Sequence, residues 1–68
     1  MIFNYIEECR IYECLDWVDH LDDELVIGII KVSNKTGYHY FKPEPEVVLE
    51  CGSMKRISLK LSELNKKP

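Results

Sequence analysis

From Glu24 to Ser33 the chain runs Leu25-Val26-Ile27-Gly28-Ile29-Ile30-Lys31-Val32, placing apolar and mostly β-branched side chains on successive positions. β-Branched residues favour the pleated backbone, and a strand apolar on both sides needs cover on both faces. The pattern predicts a central strand over 24–33, and with it a sheet that extends on either side. The run is also far shorter than the roughly 20 apolar residues that a membrane-spanning helix needs.

The flanking segments supply partners for that strand. Asn34-Lys35-Thr36-Gly37 offers a tight turn before Tyr38-His39-Tyr40-Phe41, which predicts an antiparallel hairpin. With Lys35-Thr36 at the tip, Lys31 lies opposite Tyr40, Ile30 opposite Phe41 and Val32 opposite His39. On the other side, Asp16 to His20 precede Leu21-Asp22-Asp23-Glu24, a second hairpin. A tip at Asp22-Asp23 sets Trp17 across from Gly28, where an aromatic ring would replace the packing that glycine lacks.

The remaining elements are read from shorter signals. The first thirteen residues admit either strand or helix and are read as strand, and Val47-Val48-Leu49 as a further one. Between them, Pro43-Glu44-Pro45-Glu46 is a loop, because a residue that precedes proline is biased to extended backbone. In the C-terminal segment Ile57, Leu59 and Leu61 alternate with polar residues as a strand would. Met54, Ile57, Leu61 and Leu64 also fall on one helical stripe, with Ser53 as N-cap and Asn65-Lys66-Lys67 suited to a C-terminus. The helical reading over 53–65 is preferred, and leaves Leu59 pointing off the stripe. The expected fold is therefore α+β: a small antiparallel β-meander of about four strands with a C-terminal helix packed on one face. The strand reading gives an all-β small barrel as the alternative.

Length restricts what such a fold can do. A chain of 68 residues forms one domain and buries only about 60% of its unfolded surface. That leaves little room for a core and a deep cleft together, so no enzymatic role is expected. The start of the chain has no basic segment ahead of an apolar one and meets Glu7 and Glu8 instead. Three cysteines, Cys9, Cys14 and Cys51, make no closed disulfide set. Both features point to a reducing cytoplasm. The net charge of −3 is divided unequally: residues 1–24 hold eight acids and one base, residues 25–68 four acids and eight bases. Halves of −7 and +4 either fold into complementary faces or present an acidic patch to a basic partner.

Three short motifs, Ile27-Gly28-Ile29-Ile30, Tyr40-Phe41-Lys42-Pro43 and the segment Met54 to Asn65, follow one another over the last two thirds of the chain. Their order resembles that in small accessory proteins of tailed bacteriophages: a Val/Ile-Gly-x-Ile strand, a Tyr-x-Phe-x-Pro segment and a Leu-rich helix ending in Leu-Asn. Here Tyr40 and Phe41 are adjacent rather than spaced by one, and Ser58-Leu59 precedes Lys60 in the helix. The resemblance implies a phage-like protein acting in a bacterial cytoplasm, and it carries over no catalytic residue.

Few residues offer chemistry. Cys9, Cys14, His20, His39 and Cys51 include zinc-ligating types, but no Cys-x-x-Cys knuckle spaces them, and neither a metal nor any other cofactor is expected. His20 and His39 could serve as bases, yet no nucleophile motif or phosphate loop accompanies them. Function is therefore expected on the surface. The leading candidate is an acidic protein-docking face of Asp16, Asp19, Asp22, Asp23 and Glu24, with Leu59 as an apolar contact, through which the chain binds and modulates a partner such as a host enzyme or defence component. A second copy of the chain is another expected partner, through a sheet edge or through Leu59 and the N-terminal strand. The alternative is a nucleic-acid-binding module in which Tyr38 and Tyr40 stack on bases while Lys31, Lys35 and Lys42 meet phosphates.

Overall fold

The structure is a computed structural model, described here for residues 1–66. Four strands, β1 (Ile2–Ile6), β2 (Ile11–Val18), β3 (Asp23–Val32) and β4 (His39–Pro43), precede one helix, α1 (Cys51–Leu64). The sheet order is β1-β2-β3-β4 with every neighbouring pair antiparallel, so the fold is a small α+β meander with a C-terminal helix. The sheet stays open, which excludes the barrel alternative. Among the described residues no helix is long and apolar enough to cross a membrane.

The strand expected over 24–33 is β3, and it pairs with a neighbour on each side. The β3–β4 register is the one read from the turn residues: Lys31 pairs with Tyr40, Ile30 with Phe41 and Val32 with His39. Gly37 takes a positive φ of 76° to close that turn, a conformation glycine adopts at no steric cost.

The β2–β3 register differs from the expected one. Trp17 pairs with Glu24, not with Gly28, whose partner is Cys14. The chain reverses through a 3-10 turn at Asp19–Leu21, closed by Asp22 in the left-handed region at φ 50°, so the tip lies earlier than Asp22-Asp23. The register then shifts between Cys14 and Leu15, where Ile27 is the unpaired residue of a β-bulge. Gly28 still lies beneath an aromatic ring, but the ring is that of Phe41. A Cβ built on Gly28 would collide with that ring and come within 2.6 Å of the Lys42 carbonyl oxygen.

The bulge sends Ile27 and the Gly28 position toward the same side, and that side is the one the helix covers. There Cys14, Val18, Ile27, Ile30 and Ile57 form the buried core, ringed by half-buried Phe3, Tyr12, Leu25, Phe41, Leu61 and Leu64 among others. The helix crosses the sheet diagonally. Near its start, Ser53 Oγ donates to Asp16 Oδ2 on β2 at 2.7 Å. At its end, Asn65 locks onto β4: His39 N–H donates to Asn65 Oδ1 at 2.6 Å, and Asn65 Nδ2 donates to the His39 carbonyl at 3.1 Å. Asn65 thus occupies outward-facing backbone groups of an edge strand, which would otherwise invite pairing with another chain.

Four expectations are corrected here. Residues 47–49 form no strand; they are an extended approach to the helix, in which Val47 and Leu49 pack on the core while Val48 is 70% exposed. The helix begins at Cys51 with Glu50 at the N-cap, and Ser53 lies inside it with its hydroxyl donating to Asp16. Met54 is exposed, and the stripe that meets the sheet is Ile57, Leu61 and Leu64. The first thirteen residues are strand as expected for 2–6 and 11–13, but residues 7–10 form a turn in which Arg10 has a φ of 56°.

Candidate functional site

In a four-stranded meander the first and third turns share one end of the sheet, and the second turn lies at the other. That topology separates the two sets of candidate residues.

At the β2–β3 end, the left-handed Asp22 and the Asp23 side chain, which accepts from the Glu24 N–H at 2.8 Å, shape a compact turn. Aspartate suits both roles, since its short side chain tolerates the left-handed region and bonds locally to backbone. Asp19, Asp22, Asp23 and Glu24 are all exposed on it. The loop after β4 reaches the same end, and Glu44 and Glu46 line a shallow hollow of about 430 Å³ together with Leu21 and Leu25. Trp17 and Leu21 stand 55% and 49% exposed beside these carboxylates. No lysine or arginine occurs between residues 11 and 30, and His20 is the basic side chain of the turn.

Asp16 does not belong to that surface. It lies on the helix-facing side of β2 with its side chain 12% exposed, accepting from Ser53 Oγ and from the Trp17 N–H at 2.9 Å. Arg56 and the chain's N-terminal amine each stand 3.8 Å away. Burial by itself raises its carboxyl pKa, but the Ser53 and Trp17 hydrogen bonds and the two cations outweigh that and hold it below the usual range. Asp16 is a tie between sheet and helix. Leu59 is also apart from the turn: 63% exposed, it shares a hollow with Met1, Phe3, Arg56, Lys60 and Glu63. The structure therefore brings Leu59 beside the N-terminal strand and not beside the acids.

The other end holds an open cleft of about 870 Å³. Lys31, Lys35, Tyr38 and Tyr40 all line it, whereas Lys42 does not. The β1–β2 turn closes its other side with Cys9, Arg10 and Ile11. Arg10 is the residue that sequence reasoning missed, although it is the sole base among the first 24 residues, and the meander topology alone would have brought its turn to this end. His39 also lines the cleft, but its Nδ1 lies 3.1 Å from Asn65 Oδ1, so the ring is held in place as part of the helix clamp.

The cysteines and histidines do not assemble. Among the described residues no three of His, Cys, Asp or Glu come together as a metal site. Cys14 is wholly buried, and burial pushes its thiol up to about 11, which leaves it an unreactive core side chain at neutral pH. Cys9 and Cys51 are exposed thiols on separate elements. The arrangement can dock a charged partner at either end, with opposite preferred signs. No family model, curated protein or solved structure matches this chain.

Proposed function

We propose that this chain is a small phage-like accessory protein that binds and modulates a partner protein through the acidic β2–β3 end. The observation that carries the reading is the joining of exposed carboxylates Asp19, Asp22, Asp23 and Glu24 with exposed Trp17 and Leu21 at one end of the sheet. Charge of one sign steers a basic partner into register, and an exposed tryptophan is the kind of anchor that supplies most of the affinity in a protein interface. Asp16 stays outside this surface and serves the fold. The test is capture from a bacterial lysate with the full chain, compared with a variant carrying Asp19→Lys, Asp22→Lys and Asp23→Lys. A specific protein retained by the native chain and lost by the variant supports the reading. Equal retention by both refutes it.

One observation favours a second reading. Arg10 joins Lys31, Lys35, Tyr38 and Tyr40 around the 870 Å³ cleft, a basic and aromatic lining suited to single-stranded nucleic acid. Titration of intrinsic fluorescence with single-stranded DNA or RNA at low salt would then show binding that weakens as salt is raised and that Arg10→Glu abolishes. A flat titration removes this reading.

A further inference from the structure

The helix covers one face of the sheet, and among the described residues no helix or strand lies over the other. Side chains paired across strands share a face, so the pairs Ile2 with Leu15 and Leu15 with Val26 place these three on the uncovered side, next to Ile29 of β3. None of the four belongs to the core cluster under the helix. An antiparallel sheet with one solvated face normally alternates apolar inward with polar outward. Here β3 presents aliphatic side chains to both.

Three observations name what covers this face. The first is area. A monomeric globular protein of 8.0 kDa exposes about 4,450 Å², whereas this chain exposes 5243 Å². The excess over the whole chain is several hundred Å², against the roughly 800 Å² that each partner buries in a standard interface, and on this face Ile2, Trp17 and Tyr40 stand exposed. The second is charge. On the uncovered side of β3, Glu24 stands at the acidic end and Lys31 at the cleft end, with Val26 and Ile29 between them. A two-fold axis crossing β3 midway between Val26 and Ile29 sets Val26 of each copy on Ile29 of the other. The same rotation sets Lys31 of each on Glu24 of the other. The third is the polarity of the whole molecule: that axis stacks the acidic end of one copy over the basic cleft of its mate. Glu13, a carboxylate on this face, already accepts from Asn4 Nδ2 at 3.3 Å.

We propose that the uncovered sheet face is the interface of a two-fold symmetric homodimer, stacked with strands of the two sheets in opposed directions. The proposal shares Glu24 and Trp17, which pair with each other on this face, with the docking surface proposed above, and leaves Asp19 and Asp22 on the turn between β2 and β3; self-association of the purified chain tests it without any foreign partner. It differs from dimerisation through Leu59 and the neighbouring Phe3 of β1, which lie on the helix side of the molecule.

Sedimentation equilibrium of the full chain, from about 0.01 to about 1 mM, tests it; even a millimolar dissociation constant shows itself in that range. The native chain is expected to sediment at twice its own mass. Lys31→Glu and Glu24→Lys each set like charges against one another twice per dimer, and each alone should self-associate at least about tenfold more weakly. Mixing the two variants restores both opposite-sign pairs, so the equimolar mixture should dimerise again, an outcome that misfolded variants could not give. A native chain that stays at single-chain mass throughout overturns the proposal. So does a dimer that survives both charge reversals, a mixture that fails to reassociate, or a dimer dissolved by Leu59→Lys instead.

Discussion

Ile29 and Ile30 are chemically the same residue on adjacent positions of one strand, yet they belong to different surfaces. Ile30 is 0% exposed beneath the helix, among Cys14, Ile27 and Ile57. Ile29 is half-buried on the uncovered side, flanked by β-strand neighbours and by nothing above. The covered face holds the fold together, and the uncovered face carries the aliphatic side chains Ile2, Leu15, Val26 and Ile29 among the polar Asn4, Glu13, Lys31 and Lys42. Hydrophobic burial needs two layers, and the sheet and helix of this chain supply them on one face only.

The sharpest way to break that comparison is to truncate the two isoleucines separately. Ile30→Ala should cost about 3 kcal/mol in urea unfolding, because the side chain is fully enclosed and its removal leaves a cavity. That cost should not depend on protein concentration. Ile29→Ala should cost less than about 1 kcal/mol in dilute solution, where its upper side is already wet, and more as concentration rises if a second copy covers it. Equal, concentration-independent costs would mean that the faces do not differ as described.

Gly28 sharpens the same contrast from the backbone. It lies on the covered side, where the Phe41 ring and the Lys42 carbonyl occupy the space a Cβ would need. Backbone cannot yield as a flexible side chain can, so Gly28→Ala should destabilise by about 2 kcal/mol, measured by the same unfolding transition. Gly52, with open space around its Cβ position, is the control: Gly52→Ala should be neutral or slightly stabilising in its helix.

How much of this was legible before the structure depends on which local signal fixed each register. Asn34 to Gly37 is a turn sequence that determines its own geometry, and the β3–β4 pairing followed to the residue. Asp19 to Asp23 contains no glycine, and a left-handed aspartate closed the turn early. The bulge at Ile27 then added a second offset that no alternation pattern reveals. Residues 47–49 look like a strand because an extended connection crossing a core edge buries every second side chain, as a strand does. The acidic end was legible from charge alone, whereas Asp16 was indistinguishable from its neighbours until the helix supplied Ser53 and Arg56. The basic cleft was half legible: its tyrosines and lysines came from one hairpin, but Arg10 entered from a turn whose position within the first thirteen residues no motif marked.

Asp16 yields the smallest predicted effect, and one that separates a structural acid from the docking acids. Its folded pKa is depressed, so its ionised form contributes stability above its ordinary value of 3.8, and that contribution is lost as pH falls through the lower folded value. Asp16→Asn should therefore cost about 1 kcal/mol at pH 7, where the charge-assisted bond from Ser53 and the nearby Arg56 are weakened. The difference from the native chain should shrink below about pH 4, as the native carboxylate is itself protonated. Asp22→Asn, on the exposed turn, should leave unfolding unchanged across the same range while weakening capture of a basic partner. Were the two substitutions to trade places, with Asp22 setting acid stability and Asp16 setting capture, the division between an internal tie and an external docking surface would fail.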